Sequence, residues 1–167
     1  QGKKDGEAVL DLLATHPATA AFIATKLARR LVADEPPASL VERAAKVFLE
    51  TKGDLREVTR AIVTSPEFFA VDARRAKVKT PLEFVASALR ATGAEVSSAR
   101  DVARRLGEMG MTLYGCQPPT GYADTADAWV STGGLLARLN FALDLTAGTL
   151  PGVTIRLRQL GSAGGGD

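Results

Sequence analysis

At three places that open an apolar helical stripe, an oxygen-bearing side chain stands three residues ahead of a glutamate. The stretches are Ser39 to Glu42 (SLVE), Asp54 to Glu57 (DLRE) and Thr80 to Glu83 (TPLE). The first side chain of each can accept an orphan backbone N–H, and the glutamate can reach back to the capping residue. TPLE adds proline at the first helical position, where its missing donor costs nothing. His16-Pro17 and Ser65-Pro66 repeat the cap-then-proline order. A chain punctuated this way is built to start helices, again and again.

The apolar spacing agrees with these starts. Phe22, Ile23, Leu27 and Leu31 form a stripe beside the basic Lys26 and Arg30. Val41, Ala44, Ala45 and Phe48 form a second, and Leu55, Val58, Ile62 and Val63 a third. Leu82, Val85, Ala86 and Leu89 follow, then a weaker set at Val102, Leu106 and Met109. Leu135, Leu136, Leu139, Phe141 and Leu143 close the series. Prolines and glycines fall between the stripes. The pattern predicts an all-α fold, an irregular bundle of about seven helices. They are placed near 5–14, 17–33, 39–52, 54–64, 80–92, 97–109 and 125–147.

Strand signals are nearly absent. Val153 to Leu160 alternates apolar and charged residues, but no second strand is evident to pair with it. With 46% hydrophobic and 5% aromatic residues, the core must be mostly Leu, Val and Ala with a few Phe. The length suits one helical domain over 1–160, followed by a glycine-rich flexible tail at 161–167.

Charge narrows the function classes. With 21 basic and 19 acidic side chains, the net charge of +2 gives no electrostatic footprint for nucleic acid. The basic run Ala73 to Lys79 (ARRAKVK), with Arg100, Arg104 and Arg105, is either an anionic-surface contact or a solvated connection. The single cysteine excludes an internal disulfide and any zinc site with two cysteines. No apolar run reaches the roughly 18 residues of a membrane span, and no signal peptide is present. The polar opening suits a portion of a longer protein.

Four phrases occur in order: HPATAAFIATKLARRLV, SPEFF, KVKTPLEFVASALRATGA and PPTGYADTADAWVSTGGLLARLNFAL. Together they resemble the C-terminal part of the bacterial family known as domain of unknown function 1800. The resemblance covers roughly residues 5–148. It implies a C-terminal portion of a longer, largely helical protein. It also implies export, hence a periplasmic or extracellular setting. The genes of such proteins often stand beside a gene for another exported family. No catalytic residues are established for the family, so none transfer to this chain.

The richest stretch for chemistry is Gly115 to Gly134. Pro118 and Pro119 stiffen a turn and Gly121 permits a positive φ. Tyr122 and Trp129 then either line a shallow groove suited to a glycan or peptide, or fold back onto the core. Asp124 and Asp127 either act as paired carboxylates or cap and electrostatically favour the start of the last helix. Cys116 is either a nucleophile or a small packed thiol. His16 is either catalytic or a helix cap. Ser131 to Gly134 (STGG) is expected inside the last helix, where glycine needs an offsetting close approach. Arg138 is expected to pair with Glu83 or Asp127 inside the bundle, with Asn140 a second polar residue in that apolar helix.

Three functional readings follow. The first is a non-catalytic module that binds a protein partner or the remainder of its parent chain. The second is part of an enzyme of hydrolase type, which requires Cys116, His16 and Asp124 to converge. The third is a glycan- or peptide-binding module using Pro118, Pro119, Tyr122, Asp124 and Trp129. Nothing in the sequence calls for a metal or organic cofactor.

Overall fold

A computed structural model describes residues 2–155. The described residues form seven α-helices and a two-stranded sheet. The helices are α1 (Gly2–Ala14), α2 (Pro17–Leu31), α3 (Ala38–Glu50), α4 (Leu55–Val63), α5 (Pro81–Ala91), α6 (Ala99–Glu108) and α7 (Thr132–Ala147). Short 3-10 turns occur at Val71–Ala73 and Ala126–Trp129. The fold is all-α as the capping pattern predicts. The contacts divide the chain into two compact units, with the boundary between Lys77 and Val78.

In the first unit, α2, α3 and α4 pack on one another. The centre of α2 is a ridge of Ala20, Ala24 and Ala28, all fully buried at four-residue spacing. Such small side chains allow the neighbouring helix to come close. Leu40, Ala44 and Phe48 repeat the spacing on α3, and Val58 and Ile62 complete the core from α4. The expected stripe on α2 is therefore displaced. Ile23, Leu27 and Leu31 flank the core, while Phe22 is exposed. Helix α1 buries no residue, and Val9, Leu10, Leu12 and Leu13 are exposed.

Most caps behave as their sequences require. His16 Nδ1 accepts from the Ala18 N–H, and Asp54 Oδ1 accepts from the N–H groups of Arg56 and Glu57. Thr80 and Glu83 close a full capping box. SLVE does not cap. Pro37 is the N-cap of α3, with no side-chain bond, and Ser39 Oγ donates instead to Glu67. Ser65 accepts from the Phe68 N–H, but only turns follow it.

In the second unit, Val85, Leu106, Met109, Phe141 and Leu145 join α5, α6 and α7 to Leu150 and Val153. Contrary to the sequence reading, the strand at Val153 has a partner. β2 (Val153–Thr154) pairs antiparallel with β1 (Glu95–Val96), with Val96 opposite Val153. Two residues are too short to leave a period in the sequence. Gly152 makes the pairing feasible: its φ is +71, and a Cβ there would lie 2.9 Å from that of Ser98. The expected tail at 161–167, and the strand reading beyond residue 155, lie outside the described residues.

No single helix among the described residues is long and apolar enough to cross a membrane. The bent pair α1 and α2 passes by length and composition, but the two meet at 56°.

Candidate functional site

The segment between α6 and α7 is a loop tied to itself. Gly110, at φ +90, ends α6, and Met111 N–H returns to the Leu106 carbonyl. Gly121 N–H donates to the Pro118 carbonyl at 3.1 Å, and its φ of +80 is the positive value the PPTGY turn requires. Tyr122 Oη donates to the Thr112 carbonyl at 2.6 Å and pins the two ends of the loop together. Trp129 Nε1 donates to the Ala123 carbonyl at 3.1 Å. The two rings meet at 5.8 Å between centroids, tilted by 57°.

A shallow depression of about 500 Å³ lies against this loop. Cys116, Gln117, Pro118, Gly121, Tyr122 and Trp129 line it. The structure therefore brings together Pro118, Tyr122 and Trp129. Pro119 and Asp124 do not line the depression. Trp129 is buried, at 6% exposure, and Tyr122 is half-buried. The polar hydrogens of both rings are spent on main-chain carbonyls, so the rings can offer a ligand faces, edges and one acceptor, the Tyr122 oxygen. Tyr114, by contrast, is wholly exposed and adopts φ +57.

The start of the last helix lies later than expected. Ser131 caps α7, its Oγ accepting from Gly134 N–H at 3.2 Å. Asp127 belongs to the preceding 3-10 turn, not to the helix start. The run from Ala126 to Trp129 stops at Val130 as a 3-10 turn, and the Ser131 cap starts the helix anew. The glycines of STGG thus stand in the first turn of α7 rather than in its interior. Gly134 is packed, since a Cβ there would lie 3.1 Å from Ser131 Oγ, whereas Gly133 faces open space.

Arg138 does not make the expected carboxylate pair. Its guanidinium donates to the Lys79 carbonyl at 2.8 Å and lies over the Phe84 ring. Burial pushes its pKa down from the ordinary value, and its buried Nε has no partner. Asn140 is exposed. Two of the three arginines of α6 are locally neutralised, Arg104 by Asp101 and Glu108, and Arg105 by Glu108 and Asp144, while Arg100 is exposed. Within ARRAKVK, Lys77 pairs with Asp34. Lys79 Nζ donates to Ser87.

Cys116 Sγ lies 3.8 Å from the Pro118 carbonyl, and His16 holds the start of α2 through its ring nitrogen. Among the described residues no three His, Cys, Asp or Glu side chains gather as a metal site requires.

Two features escaped the sequence. Glu67 accepts from Arg43 at 2.6 Å and from Ser39 at 3.2 Å. The Arg43 hydrogen bond, with help from its own backbone N–H, lowers its pKa to about 2. The other feature is the outer side of α7, where Leu135, Leu136, Leu139 and Leu143 are each at least half exposed. The leucines were visible, but Phe141 and Leu145 make the opposite side apolar as well, which hides which side is inward.

These features define a mostly helical chain with a self-stapled loop and an exposed apolar face on α7. The chain belongs to the family described as protein of unknown function (DUF1800), whose model matches residues 1–163. No curated protein and no solved structure matches it.

Proposed function

We propose that this chain is a non-catalytic helical interaction or assembly module of an exported bacterial protein, and that it docks on the remainder of its parent through α7. One observation carries the reading. Helix α7 is apolar on both sides: Phe141 and Leu145 are buried in the core, while Leu135, Leu136, Leu139 and Leu143 stay 50–57% exposed. A helix that is hydrophobic all round belongs in an interior. Its two charged side chains support this, because Arg138 and Asp144 are engaged within their own unit. The outer face is left neutral and costs little polar desolvation on docking.

The test is a photo-crosslinking side chain at position 139 of the parent protein, expressed in its own type of cell and fractionated. The expected product is a crosslink to the parent's other segments, in the exported fraction. A yield no higher than that from the solvent-facing position 46 overturns the docking, and a cytoplasmic product overturns the export.

A second reading is a glycan- or peptide-binding groove at the 110–130 loop. Its support is the depression lined by Pro118 and Tyr122, within the ~300–1,000 Å³ range of ligand clefts. Titrating cell-wall glycan fragments and proline-rich peptides against Trp129 emission tests it. An unchanged signal with every ligand sinks it.

A further inference from the structure

The first unit holds a cleft of about 190 Å³. Its walls are apolar: Val32 and Ala33 from the end of α2, Pro37 from the start of α3, and Ala70 and Ala73 from the 3-10 turn. Three carboxylates stand at the same cleft, those of Glu35, Glu67 and Asp72.

The three are not equivalent. Glu67 is committed to Arg43 and to Ser39, which stands in the first turn of α3. Glu35 and Asp72 are exposed, and neither has an ion-pair partner among the described residues. The cations around them are used elsewhere. Arg43 serves Glu67, Lys77 serves Asp34, and Arg29 Nε donates to the Asp34 carbonyl. Arg74 and Arg75 follow the turn and are exposed, but they do not line the cleft.

Size and chemistry select the occupant. At about 190 Å³ the cleft is below the ~300–1,000 Å³ that encloses a drug-sized ligand. It has room for one long side chain. Apolar walls beneath a carboxylate rim suit a lysine, whose methylene stem buries while its ammonium stays at the wet rim. Phe69 and Val71 alternate along the chain with the lining residues Ala70 and Asp72. They are 74% and 87% exposed. Two such uncovered apolar side chains beside the cleft favour a polypeptide over a free amine.

We propose that this cleft is a docking site for a lysine side chain presented by a partner polypeptide. The site is independent of the α7 face.

The experiment uses the isotope-labelled full chain and blocked tripeptides Leu-Lys-Leu, Leu-norleucine-Leu and Leu-Glu-Leu, with n-butylamine as the free amine. The lysine peptide should shift the amides of Val32, Ala33, Ala70 and Ala73 in a saturable manner. The norleucine peptide should bind about fivefold more weakly, which is within what two exposed charge contacts deliver. Glu35→Gln combined with Asp72→Asn should weaken the lysine peptide by a similar factor. Both positions are exposed, so the rest of the amide spectrum should stay in place and report an intact fold. Higher salt should weaken binding to the native chain and leave the double variant nearly unaffected. The proposal falls if those amides do not move, if norleucine binds as tightly as lysine, or if the double variant binds like the native chain. Equal binding of n-butylamine would overturn the polypeptide assignment.

Discussion

Arg138 lies with its guanidinium carbon 5.3 Å from the centre of the Phe84 ring while donating to the Lys79 carbonyl. One side chain of α7 thereby holds both the first turn of α5 and the residue that precedes its cap. Removing it loses the ring contact and leaves the carbonyl without this donor. Arg138→Ala should lower the unfolding free energy by about 1–2 kcal/mol. Arg138→Lys should recover part of the loss, because an ammonium can serve the ring or the carbonyl but lacks the flat fork that serves both. Urea unfolding of the three proteins tests this. Equal stability of the alanine variant and the native chain would show that the contact contributes nothing.

Glu67 predicts a specific acid response. Its folded pKa, lowered to about 2 by Arg43, lies below that of an ordinary glutamate in the unfolded chain, about 4.3. The unfolded state therefore takes up a proton first as pH falls. The contribution of Glu67 is fully present above the ordinary glutamate value and is lost progressively toward pH 2. Glu67→Gln should be less stable than the native chain at pH 7, and the gap should close as pH falls through that window. A gap that stays constant with pH would mean that the carboxylate charge is not what matters.

The alanine ridge of α2 predicts sensitivity to added volume. Ala24 is fully buried in the cluster it shares with Leu40, Ala44 and Phe48 of α3. Leucine has nearly the helix propensity of alanine, so Ala24→Leu isolates packing. Overfilling such a contact typically costs about 1–3 kcal/mol. Ile62→Ala removes volume from the same core and should cost about 2–5 kcal/mol. Thermal unfolding that leaves the Ala24→Leu midpoint unchanged would disprove the close approach of the two helices.

The pattern of what was readable follows from interaction range. Asp54 and Thr80 cap their helices through bonds two or three residues long, and their sequences announce it. Ser39 carries the same local signature, yet its hydroxyl goes to Glu67, 28 residues on. No window of sequence contains both. The pairing of Val96 with Val153 spans a longer separation still. The start of α7 was misplaced for another reason: its Ser131 cap bonds only three residues away, but Asp124 offers an earlier helix start than the one the chain uses. At the candidate site, Tyr122 and Trp129 were legible as aromatics in a stiff loop. Their hydrogen bonds to Thr112 and Ala123 were not, and those bonds take up the polar hydrogens of both rings.

That staple gives the last prediction. Tyr122→Phe keeps the ring against Trp129 but deletes the bond to the Thr112 carbonyl. The global cost should be modest, about 0.5–1.5 kcal/mol. The local effect should be larger, because the bond closes a loop that contributes no side chain to the core cluster of its unit, Trp129 being buried outside that cluster. Native Trp129, the only tryptophan, should emit in the blue and resist iodide quenching, since it is 6% exposed. In the Tyr122→Phe variant, limited proteolysis should cut between 112 and 121 faster while Trp129 stays protected. Loss of protection at Trp129 would mean that the two aromatics are one cooperative unit. No change in cleavage would mean that the loop is held by its prolines and glycine turn alone.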